Sequence, residues 1–149
     1  MRSAAHSLAE FAPRLSRIIA NALISSPEVA LSLRQYRLLE RLADRPHRTT
    51  ELATRSEVTQ PTASAAIASL EGRGLVARAI DPSDRRATLI KLTRAGRETL
   101  DTARAKVLDE LAVVTAELTP ADAKALAAMQ PALVRGMDRL REQHRRTGG

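Results

Sequence analysis

The sequence of 149 residues contains no cysteine and only two aromatic residues, Phe11 and Tyr36. The absence of cysteine excludes disulfide bonds, thiolate metal sites, a cysteine nucleophile and a thiol redox switch. Because large rings are nearly missing, a hydrophobic core has to be built from Leu, Ile, Val and Ala, which favours closely packed helices. No apolar run approaches the roughly 18 residues that a transmembrane helix needs, so we expect no membrane span.

Signatures of catalysis and of metal binding are missing as well. There is no nucleophile elbow, zinc-protease motif, phosphate-binding glycine loop or dinucleotide fingerprint, so we expect neither an enzyme nor a cofactor. The three histidines, His6, His47 and His144, lie in no close pattern of metal ligands, so we expect no metal site. The acid-poor N-terminal stretch has no secretory apolar core, and we read no targeting segment there. We therefore expect a cytoplasmic protein.

What the sequence has in excess is positive charge. Twenty-four Lys and Arg residues face 17 Asp and Glu residues, which gives a formal net charge of +7. Such a surplus indicates a polyanionic partner, most simply nucleic acid or an anionic membrane surface. A solvated basic surface without a partner explains the charge equally well. The net charge alone therefore does not distinguish between the two, and sequence motifs are needed.

Apolar residues recur at steps of three and four over most of the chain, which predicts helices. The predicted helices cover residues 7–24, 32–43, 50–55, 60–71, 94–118 and 120–143, the third after a cap at Thr49 or Thr50. Two short segments, 75–80 and 88–92, have strand character, and a polar, turn-rich loop over 81–87 separates them. The order helix, helix, turn, helix and β-hairpin is that of a winged helix-turn-helix.

The expected fold is therefore mainly α with a small β-hairpin wing, in which residues 31–93 form a DNA-binding lobe. Residues 1–30 and 94–143 carry apolar stripes on their helices, yet the sequence holds no second compact domain for these stripes to cover. Stripes of this kind are usually buried between chains, so we expect a symmetric homodimer whose dimerisation lobe comes from both termini. An intrachain helical bundle is the alternative. A two-fold dimer would place its two reading helices roughly 34 Å apart on a palindromic site.

The start of the fourth predicted helix carries a cluster of polar side chains: Thr59, Gln60, Thr62 and Ser64. These side chains can donate and accept hydrogen bonds at base edges, and glutamine suits N6 and N7 of adenine. Thr50, Thr62 and the free amides at these helix starts can also bind phosphate oxygens. Thr59 is more simply explained as an N-cap. The cluster predicts that this helix reads DNA.

The loop between the two predicted strands carries Arg85 and Arg86 at the tip of the hairpin. An arginine at such a tip can enter the minor groove, where the negative potential is concentrated. Asp84 is an unexpected acidic residue in a loop that binds DNA. Its presence is explained if its carboxylate pairs with Arg78 or Arg86 and fixes the direction of the guanidinium. Arg73, at the exit of the reading helix, is predicted to clamp a phosphate, although a solvated arginine would look the same.

These motifs together resemble the MarR family, the multiple antibiotic resistance type of bacterial transcription regulators. The resemblance covers residues 49–96 and consists of ELA in the first motif helix, the LE-x-x-GLV-x-R exit, the wing DPSDRR and the LT-x-x-G opening of the next helix. It implies a homodimer of triangular outline that represses promoters with inverted repeats and is often released by small, frequently phenolic ligands.

Carried onto this chain, the resemblance implies base contacts by Gln60, Thr62 and Ser64 and wing contacts by Arg85 and Arg86. Two departures change what is expected. Family members often place a basic residue directly after the reading-helix serine, where this chain has alanine, so base specificity here would be narrower or rest more on DNA shape. The lack of cysteine also separates the chain from the peroxide-sensing branch.

An effector pocket, by the same analogy, would lie where the second and fifth helices meet the first. Tyr36, Arg37 and Arg97 are the candidate polar lining for an anionic or phenolic ligand. Tyr36 can equally be a core residue, and either arginine can simply be solvated.

Two functions outside sequence-specific regulation stay open. A non-specific architectural DNA-binding protein would depend on its basic charge but not on Gln60 or Thr62. A winged-helix adaptor would bind another protein and no DNA.

Overall fold

A computed structural model describes residues 3–56 and 58–147 of the chain. Within these ranges the helices are α1 (Ala4–Ser25), α2 (Leu33–Leu42), α3 (Thr49–Ser56), α4 (Gln60–Gly72), α5 (Arg94–Thr115) and α6 (Pro120–Thr147). The strands are β1 (His47–Arg48), β2 (Val76–Asp81) and β3 (Asp84–Leu92), which form one antiparallel sheet in the order β1-β3-β2. The fold class predicted from the sequence, mainly α with a small β wing, is confirmed.

The hairpin differs from its prediction. The loop expected over 81–87 is wrong, because only Pro82 and Ser83 separate the two strands and β3 already begins at Asp84. Asp81 pairs with Asp84 across this tight turn, beside an irregularity in the strand register. The wing is therefore a stiff two-stranded ribbon and not a long polar loop.

Strand β1 was not predicted, because two residues are too few to show a periodic pattern. His47 and Arg48 pair with Ile90 and Leu89 of β3, which places β1 on the edge of the wing. Helix α3 follows β1 directly and begins at Thr49. Thr49 and Thr50 therefore lie inside the first turn of α3. The prediction that one of them is the N-cap in front of this helix is wrong.

Other predicted caps have the expected geometry. The Thr59 hydroxyl accepts a hydrogen bond from the Thr62 backbone N–H, and Pro61 lies in the first turn of α4. The Thr119 hydroxyl accepts a hydrogen bond from the backbone N–H of Asp122, whose carboxylate in turn accepts one from the Thr119 N–H. These reciprocal bonds satisfy amides that have no partner within a helix.

The chain divides into two compact units, residues 1–111 and 112–149. The first unit contains α1 to α4, the sheet and most of α5, and its core is built almost entirely from aliphatic side chains. Those with essentially no exposed surface include Leu23, Val29, Leu31, Leu38, Leu39, Leu52, Ile67, Leu70, Ile90 and Leu100. The core thus uses the residue types that the composition left available.

The second unit consists of the end of α5 and all of α6, and it leaves large apolar side chains exposed. On α6 these side chains follow the helical spacing of Leu126, Met129 and Met137, which are each about half exposed. A groove of about 770 Å³ runs within this unit, and Leu133 and Val134 are among its lining residues. None of the helices in the described ranges is long and apolar enough to cross a membrane.

Candidate nucleic-acid interface

The first turn of helix α4 is polar, whereas the residues that follow pack against the core. Ala63, Ile67 and Leu70 are buried and hold one face of α4 against the first unit. Gln60, at the first position of α4, is exposed, and Ser64, one turn further along, is half-buried. The packed residues therefore fix the position of the polar first turn.

The hydroxyl groups of Thr59 and Thr62 lie 2.8 Å apart and share a hydrogen bond. Thr59 also caps the helix, so its hydroxyl has two structural partners. Thr62 remains half-buried at the start of the helix, with its backbone N–H bound to the cap. Of the polar cluster, Gln60 is the side chain that extends most freely into solvent.

Arg73, which is predicted to clamp a phosphate at the exit of α4, is engaged in hydrogen bonds within the chain. Its Nη1 donates to the carbonyl of Ala30 (2.9 Å) and its Nη2 donates to the carbonyl of Val29 (2.7 Å). Ala30 adopts a left-handed backbone conformation with φ 43°, which a non-glycine residue keeps only when its surroundings hold it. Arg73 thus fastens the connection between α1 and α2 to the end of α4.

The wing presents Arg85 and Arg86 in the first positions of β3, directly after the turn, and both side chains are exposed. Asp84 does not pair with Arg78, because the Arg78 guanidinium binds the Glu71 carboxylate at 3.1 Å. Asp84 Oδ1 instead accepts a hydrogen bond from the backbone N–H of Arg86 at 3.1 Å. Asp84 therefore orders the backbone that carries the two arginines.

An ion pair between Arg48 and Asp81 fixes the turn of the wing. The sequence predicted no role for either residue. Arg48 Nε and Nη2 both donate to Asp81 Oδ2, at 2.9 and 2.6 Å. The other oxygen, Oδ1, accepts from the backbone N–H and the hydroxyl of Ser83 at 2.8 and 2.6 Å. Arg48 Nη2 also lies 3.7 Å from Asp84 Oδ2. This network ties strand β1 to the turn that presents the wing arginines.

The hydrogen bonds of Ser83, together with Arg48, lower the pKa of Asp81 to about 2, from an ordinary value of 3.8. A carboxylate whose pKa is lower in the folded state stabilises the fold above its unfolded pKa, and this contribution is lost as the pH falls towards 2. We expect the protection factors of the wing amides, which correct the exchange rates for their intrinsic pH dependence, to fall between pH 4 and 2, and we expect Asp81→Asn to remove this part of the acid sensitivity. Hydrogen exchange measures both, with Asp84→Asn as the matched control. Parallel acid profiles for the parent and Asp81→Asn would contradict this prediction.

The three candidate effector residues, Tyr36, Arg37 and Arg97, lie in different surroundings. The hydroxyl of Tyr36 is bound to Glu40, and burial together with this carboxylate raises the tyrosine pKa to about 12. Glu40 in turn forms a two-pronged ion pair with Arg104 of α5, with distances of 2.9 and 2.8 Å. Arg97 donates to the carbonyl that follows α2, and Arg37 is exposed. Glu40 and Arg97 therefore connect α2 to α5, while Tyr36 contacts Glu40 within α2.

A capped helix with a polar start and an adjoining arginine-tipped hairpin, both on one compact unit, define a winged-helix DNA-binding protein. The sequence profile of the MarR family matches residues 31–88, which span α2 to the wing. A MarR-family transcriptional regulator from Streptomyces coelicolor, solved in complex with DNA, is 30% identical to this chain. That match covers 91% of this chain and 89% of the other, with a TM-score of 0.67. The chain belongs to the MarR family.

Two further solved structures share the fold. CouR from Rhodococcus jostii, bound to p-coumaroyl-CoA, is 25% identical, with a TM-score of 0.71 over 87% of each chain. The apo form of MarR from E. coli is 18% identical, with a TM-score of 0.80 over 89% of this chain and 97% of that one. No curated protein sequence matches the chain at a significant level.

Proposed function

We propose that the protein is a cytoplasmic, dimeric transcription regulator that binds a palindromic operator and represses the adjacent promoter. The observation that carries this proposal is the placement of the polar start of α4 and the exposed wing arginines on one packed unit. The DNA complex of the Streptomyces coelicolor relative supports DNA as the partner. Repression would follow from occlusion, because two reading helices and two wings cover the promoter that they bind.

In this proposal Gln60 reads a base edge, since it is exposed and can bind adenine through both N6 and N7. Ser64 and Thr62 contribute shorter-range contacts from the same helix. Thr50, exposed in the first turn of α3, binds a phosphate oxygen. Thr59 acts through α4 as its cap and does not contact DNA.

Arg85 and Arg86 enter the minor groove in this proposal, and the Arg48–Asp81 pair holds them in place. Exposed arginines gain from the concentrated negative potential of a narrow minor groove. Because Asp84 bonds the Arg86 backbone, it orients the wing strand and leaves the guanidinium groups of Arg85 and Arg86 without an ion pair to its carboxylate. Arg78, paired with Glu71, connects the wing to the end of α4.

The proposed dimer places the exposed stripe of α6 against the same stripe in a second copy. A two-fold interface pairs one surface with itself, and an apolar stripe on a single long helix can meet this requirement. The second unit alone has too few residues to cover the stripe, which supports a second chain as its partner. The stripe of α1, which includes Phe11 at 51% exposure, is proposed to join this lobe.

Relief of repression by a small anionic or phenolic molecule is a further part of the proposal, supported by the CouR structure that contains p-coumaroyl-CoA. An effector can lower DNA affinity only if it binds two states of the dimer with different affinities. Of the three candidate lining residues, Arg37 is exposed and makes no hydrogen bond with the described residues, so it is the proposed anion contact.

The proposal is tested by selecting bound duplexes from a random-sequence library and comparing the selected palindrome with its scrambled version at one salt concentration. We expect Gln60→Ala to reduce discrimination at one base position by about 1–3 kcal/mol. Joint replacement of Arg85 and Arg86 by alanine should weaken binding to every sequence and flatten the salt dependence, whereas joint replacement by lysine should preserve most of that dependence.

Each alternative function has a distinct outcome in this experiment. Equal affinity for the palindrome and the scrambled duplex would favour an architectural protein. A folded protein that binds neither duplex, even at low salt, would favour a protein adaptor. Full affinity after loss of both wing arginines would overturn the assignment of the wing.

A further inference from the structure

A cavity of about 470 Å³ lies between the start of α2 and the start of α4, next to the polar cluster that we propose for base reading. Arg34, Gln35, Thr62 and Ala65 are among its lining residues, and no acidic residue lines it. One wall therefore belongs to the reading helix, while the other belongs to α2, in which the sequence predicted no residue that contacts DNA.

Most polar groups around this cavity already have partners. Gln35 Oε1 accepts from the backbone N–H of Ser32 at 2.9 Å, and Gln35 Nε2 donates to the Ser69 hydroxyl at 3.0 Å. The Thr62 hydroxyl is bonded to that of Thr59. Arg34 is exposed and makes no hydrogen bond or ion pair with the described residues. The cavity thus combines neutral, internally satisfied walls with one uncompensated positive charge.

Two links near the C-terminal end of α4 fix the start of α2, and with it the backbone of Arg34, relative to the reading helix. Arg73, at the end of α4, holds the Val29 and Ala30 carbonyls that precede α2. Gln35, one residue after Arg34, binds Ser69 in the last turns of α4. The first turn of α2 also contains no acidic residue, so the positive end of the helix adds to the charge of the guanidinium. The backbone of Arg34 is therefore held beside the reading helix, and its unpaired guanidinium breaks no contact within the described residues when it binds an anion.

We propose that Arg34 binds a backbone phosphate of the duplex whose major groove receives α4. This inference rests on the proposed function, because it presumes that α4 reads DNA. In helix-turn-helix proteins the first helix of the motif, here α3, crosses the phosphate backbone beside the reading helix. Arg34 shares a cavity with the first turns of α4, so its charge lies next to the part of the helix that would enter the groove. Arg34 thereby supplies the phosphate contact that the sequence assigned to Arg73, whose guanidinium is engaged with Val29 and Ala30. Its contact is to a phosphate, so it adds affinity but no base preference.

The experiment measures affinity of the full-length protein for a selected palindromic duplex and a scrambled duplex over a series of salt concentrations. We expect Arg34→Gln to lower the slope of log affinity against log salt by about one per protomer, and to weaken binding at low salt by about 10- to 100-fold for a dimer. The loss should be the same on both duplexes. Arg34→Lys should retain the slope, because it keeps the charge.

The matched control is Arg17→Gln, which removes the same charge from the polar side of α1. Its slope should equal that of the parent, and both variants should melt as the parent does, because both side chains are exposed. If Arg34→Gln behaves like Arg17→Gln while the parent binds its palindrome, Arg34 is not a phosphate contact and the proposed function stands. If the folded parent binds no duplex, the proposed function fails and this inference fails with it.

Discussion

Replacement of Gly96 by alanine is expected to lower the free energy of unfolding by about 3 kcal/mol or more. A Cβ atom at this position would lie far inside van der Waals contact with the carbonyl oxygen of Leu75, and 2.8 Å from Cδ1 of Leu92. That carbonyl cannot retreat freely, because it accepts a hydrogen bond from the backbone N–H of Thr93 at 3.1 Å. The Thr93 hydroxyl further binds the Gly74 carbonyl at 2.7 Å. The start of α5 is thus pressed directly against the start of the wing.

Chemical denaturation monitored by circular dichroism measures this effect. The matched control is Gly72→Ala, since a Cβ atom at Gly72 would meet nothing within 4 Å. Its effect should stay within about 0.5 kcal/mol of the parent, as for a surface substitution. If Gly96→Ala unfolds at the same denaturant concentration as Gly72→Ala, the junction between α5 and the wing is looser than the structure indicates.

The features that the sequence predicted well are those with local physical causes. The bounds of α4 follow from a threonine cap, a proline in the first turn and a glycine-rich exit, all within 16 residues. The core face of α4 follows from the helical spacing of Ile67 and Leu70. Gln60 shares this spacing, and its exposure follows instead from its place at the first position of α4.

The features that the sequence did not reveal depend on contacts between distant residues. Arg73 reaches carbonyl groups more than 40 positions earlier, so nothing beside it in the sequence distinguished a structural anchor from a phosphate clamp. Arg48 and Asp81 are 33 positions apart, and β1 is too short to be noticed. Only Ser83, two residues after Asp81, gave a local signal, because this spacing is typical of a side chain that bonds the backbone in a turn. Gly96 appeared only as the last letter of LT-x-x-G, without the close approach that requires it.

Replacement of Leu133 by aspartate is expected to abolish the dimer and to weaken binding to the palindromic duplex by about 100-fold or more. Leu133 is half-buried in the groove of the second unit, between the exposed Met129 and Met137 along one face of α6. A carboxylate placed against a second apolar stripe would lose its hydration without gaining a partner. Once the two chains separate, each half-site must be bound independently, so the advantage of linked binding is lost.

Sedimentation and duplex titration of the same samples measure the two effects together. Ala128→Asp is the matched control, because it adds the same charge on the opposite face of α6, where the residue is exposed. This variant should remain dimeric and bind as the parent does. A parent that sediments as a single chain would favour an intrachain bundle over the dimer. A dimeric, fully DNA-binding Leu133→Asp protein would instead show that the two copies meet elsewhere. In both cases the exposed stripe of α6 would need another explanation, because a solvated apolar face of this length is costly in water.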